Sequence, residues 1–95
     1  MKKPFQIQAK LDLHGYTLND AYDTFFEFVE YCLEQDVYNL LIVTGKGSNS
    51  KERGETINYQ FPHWCENPFL GKYIKSVKPA EIQHGGGGAF YVRLK

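Results

Sequence analysis

The sequence predicts a two-layer α/β (α+β) sandwich in the order β-α-β-α-β-β: a four-stranded mixed sheet with two helices on one face. Three observations predict it. Apolar and polar residues alternate in the first and last strands, so each has one wet face, whereas a sheet covered on both sides would read apolar throughout. A helical period separates the first two strands, and a crossover of that length makes them parallel. The 95 residues, 42 % hydrophobic and 23 % charged, suffice for one modest core and are too apolar for a disordered tail. Residues 1–95 are therefore read as one domain, with residues 1–6 as a short N-terminal arm.

The elements follow in order. From Gln6 to Leu13, Ile7, Ala9, Leu11 and Leu13 alternate with Gln6, Gln8, Lys10 and Asp12, and the polar parity continues to His14 before Gly15 breaks the strand. Thr17 is placed to cap a helix running to about Leu33, with Asp20 as the acid of a weak capping box. At about 100° per residue, Leu18, Ala21, Tyr22, Phe25, Phe28, Val29, Cys32 and Leu33 fall on one stripe. Asp20, Asp23, Glu27, Glu30 and Glu34 fall opposite, on a face that repels phosphate. Asn39 to Thr44 reads as a central strand, ending in Thr44-Gly45-Lys46-Gly47. The polar stretch Ser48 to Gly54 is a loop. A second helical segment starts near Glu55, with Ile57, Phe61 and Trp64 on one face and Pro62 expected to bend or interrupt it. Asn67-Pro68 and Gly71 close that segment. Strands are expected at Tyr73 to Val77 and Ala89 to Lys95, joined through His84 and four glycines. That tract is either a flexible hairpin tip or a backbone that needs positive φ or close approach.

Several function classes are excluded or narrowed at this level. No apolar run approaches the roughly 18 residues of a membrane span. The opening MKKPFQIQ lacks the apolar stretch of a signal peptide, so a cytoplasmic protein without a membrane partner is expected. Cys32 and Cys65 are expected as reduced core residues, since disulfide frameworks belong to secreted chains. His63 and Cys65 lack the paired spacing of zinc ligands and are read as structural. The formal net charge of zero conceals a division: residues 1–38 carry three bases against seven acids, and residues 39–95 carry eight against four. A nucleic-acid partner is thus not excluded by the total, and the basic half is where it would bind.

In sheets with parallel strands, ligands favour the carboxyl ends of those strands. Here those ends are His14-Gly15 and Thr44-Gly45-Lys46-Gly47, and an antiparallel last strand brings the His84 tract, with Gly85 and Gly86, to the same edge. Glycine turns there are expected to present N–H groups as an anion-binding nest beside Lys46. The loop matches neither a phosphate-binding P-loop nor a dinucleotide fingerprint. No nucleophile elbow or carboxylate pair is present. The residues alone therefore indicate a phosphate site.

Leu11-Asp12-Leu13-His14-Gly15 at the end of a first strand, a strand ending in a Gly-x-Gly turn, and Gly-Gly-Gly-Gly-Ala-Phe-Tyr-Val-Arg-Leu-Lys at the end of the chain together resemble the Smr (small MutS-related) domain. The resemblance runs from about residue 7 to 95 and includes Gly54 with Ile57 and Pro62 with Trp64. It implies a fold similar to the C-terminal domain of translation initiation factor three and endonuclease or nucleic-acid-binding activity on RNA or DNA. It also implies that the catalytic element is Asp12 with His14. Much of the family reads His-Gly-x-Gly where this chain has Thr44-Gly45-Lys46-Gly47, so an imidazole is lost and His84 becomes the candidate acid.

Three functional readings follow. As a phosphodiesterase, His14, oriented by Asp12, deprotonates a 2′-hydroxyl or water while Lys46 and loop N–H groups stabilise the charged phosphorus centre. A Mg²⁺ held by substrate phosphate and Asp12 is compatible with this reading, and no other cofactor is indicated. As a non-catalytic RNA, DNA or ribosome-associated binding module, Lys46, Lys51, Arg53, Lys72, Arg93 and Lys95 hold the backbone and Tyr91 offers a stacking surface. As an interaction domain, Phe26 and Tyr31 lie at the edge of the helix stripe and supply a contact, although a monomer is expected.

Overall fold

The computed structural model describes residues 5–46 and 56–95. The strands are β1 (Ala9–Asp12), β2 (Asn39–Val43), β3 (Ile74–Pro79) and β4 (Ala89–Leu94), and the helices are α1 (Leu18–Glu34), α2 (Ile57–Glu66) and the single-turn α3 (Pro68–Gly71). The strands form one sheet in the order β1-β2-β4-β3. β1 and β2 are parallel, and β4 runs antiparallel to both β2 and β3. This is the mixed two-layer architecture expected. Its register sets Asp12, Val43 and Ala89 side by side at one end.

α1 begins where expected, because the Thr17 hydroxyl accepts the Asp20 N–H at 3.2 Å. It ends in a Schellman arrangement: the Val37 N–H reaches the Cys32 carbonyl at 2.8 Å and the Asp36 N–H reaches Leu33 at 3.2 Å, with Asp36 at φ 56°. Ala21, Phe25, Val29 and Cys32 are its buried residues, and the five acids of the opposite face are exposed. Phe25 packs on Phe61 of α2 at 4.7 Å between ring centroids, and Phe61 stacks on Phe90 of β4 at 5.0 Å. That aromatic column joins both main helices to the sheet, and each fully buried ring contributes about 2 to 3 kcal/mol by area. Phe26, expected at an exposed edge, is half-buried against this core, while Tyr31 is exposed.

Pro62 does not interrupt α2. The helix continues through it to Glu66, anchored by the Thr56 cap and by the burial of Ile57, Phe61 and Cys65. These contacts offset the one backbone hydrogen bond that proline cannot make. Asn67 then ends α2 and caps α3, its side chain accepting the N–H groups of Phe69 and Leu70. Both cysteines are free and buried as expected, and burial pushes the Cys65 thiol up to about 12.

The face turned away from the helices differs from expectation, since it is not left open. Leu41, Ala80, Ala89 and Tyr91 form a second apolar cluster there, with Phe5, Ile7 and Val43 packed against it. Phe5 and Ile7 share the parity of Ala9 and Leu11, but strand geometry begins only at Ala9. Before that point the Gln8 side-chain oxygen accepts the N–H groups of Tyr38 and Asn39, both at 2.9 Å, and the chain crosses to the other face. Phe5 stacks on Tyr91 at 4.7 Å, which removes Tyr91 as an open stacking surface. Among the described residues, no helix is long and apolar enough to cross a membrane.

Candidate active site

The alternation of β1 places Leu13 in the core and sends Asp12 and His14 outward. Leu13 is fixed from behind, its N–H donating to the Val43 carbonyl at 2.7 Å, and the chain turns as the Tyr16 N–H returns to the Leu13 carbonyl. The two outward side chains then meet. His14 Nδ1 lies 2.6 Å from Asp12 Oδ1, and the His14 backbone N–H donates to the same oxygen at 3.0 Å. The side-chain hydrogen bond from His14 is the main cause that holds the Asp12 carboxyl below its ordinary value; the backbone N–H and nearby Lys10 act in the same direction. With the carboxylate ionised, Nδ1 is the nitrogen that donates to it, and Nε2 is the one that presents a lone pair in the neutral ring. The side chains remain 71 % and 46 % exposed, so this nitrogen is open to a ligand.

The loop after β2 lies against this couple. A Cβ on Gly45 would stand 3.5 Å from the His14 Cβ, and one on Gly88 would stand 3.3 Å from both the Gly45 carbonyl carbon and Lys46 Cγ. Asp12, His14, Gly45, Lys46 and the last two glycines of the tract therefore meet at one edge, with Gly15 in the turn beside them. The glycine tract is no flexible tip. It forms two short 3₁₀ turns around Gly85, whose φ of 117° and 2.8 Å approach of a notional Cβ to Ala89 exclude a side chain.

The N–H groups of Thr44, Gly45, Gly85 and Gly86 do not form the expected anion nest. The Thr44 and Gly45 N–H groups both donate to the Gly88 carbonyl, at 2.9 and 3.0 Å. The Gly85 N–H reaches the Ile82 carbonyl and the Gly86 N–H reaches that of Glu81. These donors close the loops instead of facing solvent. Of the expected phosphate contacts, Lys46 remains exposed at the edge, while Gly47, Lys51 and Arg53 lie outside the described residues.

Two further expectations are relocated. His84 is engaged on the sheet face: its Nδ1 bonds the Tyr91 hydroxyl, with the rings edge to face at 5.6 Å. Arg93 sits at the opposite end of β4, about 14 Å from the Ala89 end at roughly 3.4 Å per residue. There its guanidinium lies 5.6 Å from the centre of the Phe5 ring. Among the described residues no group of three His, Cys, Asp or Glu side chains could hold a metal ion.

Thr44, where much of the family has histidine, is 5 % exposed and faces the helix layer. Its hydroxyl accepts Asn58 Nδ2 at 3.0 Å and lies 2.9 Å from the Gly45 carbonyl oxygen. The same Asn58 amide donates to the Gly87 carbonyl at 2.7 Å. Asn58 thus ties the β2 loop to the glycine tract. Sequence reasoning missed it; the signal was a poor helix former in the first turn of α2, where a side-chain amide has backbone partners within reach.

A carboxylate-imidazole couple displayed at the carboxyl edge of a mixed sheet, beside a lysine-bearing loop, defines an α/β sandwich with a solvent-facing acid-base site. The chain belongs to the Smr domain family, whose signature matches residues 11–95. It is 28 % identical over 90 residues to the Escherichia coli (strain K12) protein named Probable DNA endonuclease SmrA, covering 93 % of this chain and 46 % of that protein. The chain therefore spans about half the length of that relative. Its fold matches YdaL, a stand-alone small MutS-related protein from Escherichia coli, with a TM-score of 0.79 at 27 % identity, covering 93 % of this chain and 65 % of YdaL. It also matches the Smr domain of Thermus thermophilus MutS2 with a TM-score of 0.76 at 21 % identity, covering 92 % and 98 % of the two chains, a likeness of fold.

Proposed function

We propose that this Smr domain is an endonuclease that cuts a phosphodiester bond of RNA or DNA with Asp12 and His14 as its catalytic pair. The observation that carries the reading is the couple itself: Asp12 holds His14 Nδ1 at 2.6 Å, and Nε2 is left exposed as a base. On RNA, Nε2 takes the proton of a 2′-hydroxyl, the 2′-oxygen bonds to phosphorus, the P–O5′ bond breaks, and water protonates the departing oxygen. On DNA, the attacking oxygen comes from water deprotonated by the same nitrogen. Lys46 supplies positive charge to the phosphate in both cases. The name of the SmrA relative supports cleavage, and DNA as one substrate.

A second reading, binding without cleavage, is favoured by a specific observation. Position 44 carries a buried threonine and His84 spends its Nδ1 on Tyr91, so the second imidazole that much of the family has at position 44 is missing here. One experiment separates the two. Structured RNA and supercoiled plasmid are incubated with wild type and with His14→Ala, with and without EDTA. Cleavage lost by at least a hundredfold in the variant supports the enzyme; equal cutting by both proteins overturns the role of His14. Binding without cutting by the wild type establishes the second reading. Loss with EDTA in the wild type indicates a Mg²⁺-assisted reaction.

A further inference from the structure

Resting on that reading, the sheet face turned away from the helices contains more than the catalytic edge. Register fixes which residues share it. Lys10 pairs with Leu41, Leu41 with Tyr91, and Tyr91 with Lys78, so the four form a row across all four strands. Leu41 and Tyr91 belong to the apolar cluster of that face, whereas Ala9, Leu11 and Val77, the neighbours of the two lysines, pack into the helix-side core. The lysines therefore stand on the face away from the helices, and both are exposed. One row towards the catalytic edge lies Asp12, beside Val43 and Ala89. One row the other way lies Arg93, exposed beside Asn39 and Ser76 and above the Phe5 ring.

Among the described residues, this face thus carries Lys10 and Lys78 on its two edge strands and Arg93 on β4, with Asp12 of the couple beyond Lys10 on β1. The acids described on it or at its rim are Asp12, already bonded to His14, and Glu81, whose backbone N–H donates to the Tyr91 hydroxyl. The outer face of α1 has the opposite sign, with five exposed acids and no base. A polyanion is repelled from one side of the molecule and attracted to the other.

We propose that a nucleic-acid strand runs along this sheet face, its phosphates taken by Arg93, then by Lys10 and Lys78, before the scissile phosphate reaches His14. The Phe5–Tyr91 stack forms the apolar floor between the two lysines. Arg93, placed far from the catalytic edge, is then the distal phosphate contact. Lys10 is both a track residue and the nearby charge that helps keep Asp12 ionised.

The test measures affinity by fluorescence anisotropy of labelled single-stranded and duplex oligonucleotides, RNA and DNA, across a salt series. Lys10→Gln/Lys78→Gln is compared with Lys75→Glu. The latter changes net charge equally, at the cleft that Pro62, Cys65 and Glu66 line on the helix side. All three lysines are exposed, and a thermal melt confirms that both variants fold. The proposal expects the first variant to bind roughly tenfold or more weakly than the second, with the slope of log affinity against log salt reduced by about 1.4 for a single strand. Equal weakening in both variants, or none in the first, overturns the track and leaves nucleic-acid binding intact. No binding by the wild type to any oligonucleotide overturns the nucleic-acid reading and the track with it.

Discussion

Two clusters of polar side chains lie within a few residues of each other at the carboxyl ends of β1 and β2, and they are built in opposite ways. Asp12 and His14 face solvent and satisfy only each other, leaving Nε2 of the imidazole open. Thr44 and Asn58 are buried or half-buried and spend their hydrogen bonds on backbone carbonyls of the Gly45 and Gly87 loops. No buried side-chain nitrogen or oxygen among the described residues is without a partner. The difference separates roles: an exposed couple with spare capacity can act on a ligand at little structural cost, while a saturated one holds shape. It also accounts for a threonine at position 44, because a hydroxyl can both accept from Asn58 and donate to a carbonyl in that closed space.

The largest expected effect is a dissociation of activity from stability at His14. His14→Ala should remove cleavage by at least a hundredfold while its thermal midpoint stays within about 2 °C of wild type, as for surface substitutions in general. A large drop in midpoint would mean that the couple is structural and would erase the contrast. Asn58→Ala should behave in the reverse sense. It strips donors from the Gly87 carbonyl and the Thr44 hydroxyl, and should cost about 1 to 3 kcal/mol in urea unfolding. Asn58→Asp should be at least as damaging, since an ionised carboxylate cannot donate to Gly87.

Much of this architecture was legible in the sequence, for reasons that also explain the misses. The alternation of β1, the stripe and acidic back of α1, the Thr17 cap and the β-α-β crossover are local patterns, and all of them appear in the fold. The Asp12–His14 contact was legible as well, because strand parity puts residues two apart on one side. What was not legible depends on distant backbone. That the Gly45 N–H would be taken by the carbonyl of Gly88, 43 residues later, cannot be read from either glycine. Nor does the parity of Phe5 and Ile7 reveal that the chain crosses to the other face before Ala9. His84 was drawn to the Asp12–His14 edge by its neighbours in sequence, but its side chain is held by Tyr91 on the sheet face.

A smaller effect tests whether the buried pair is one unit. Thr44→Val keeps the shape and removes the hydroxyl, while Asn58 retains Gly87 as an acceptor, so the loss should be about 1 kcal/mol, and Thr44→Ser should be close to neutral. In a double-mutant cycle, Thr44→Val with Asn58→Ala should fall short of additivity by about 0.5 kcal/mol or more, whereas Thr44→Val with His14→Ala should add. Coupling in the second cycle as large as in the first would show that the two clusters are not energetically separate.

The smallest effect lies in titration. The Asp12 carboxyl is lowered from 3.8, chiefly by the hydrogen bond from His14. A depressed carboxyl stabilises the fold above its ordinary value, and that contribution fades as pH falls through the lowered value. At an exposed pair the gain is slight, so it should appear in the ¹³C shift of the Asp12 carboxyl and barely in the unfolding curve. In His14→Ala the midpoint should rise towards 3.8 without reaching it, because the backbone N–H at position 14 still donates to the same oxygen. An unchanged midpoint would assign the shift to the backbone and Lys10, and would remove the imidazole as the partner that keeps Asp12 ionised.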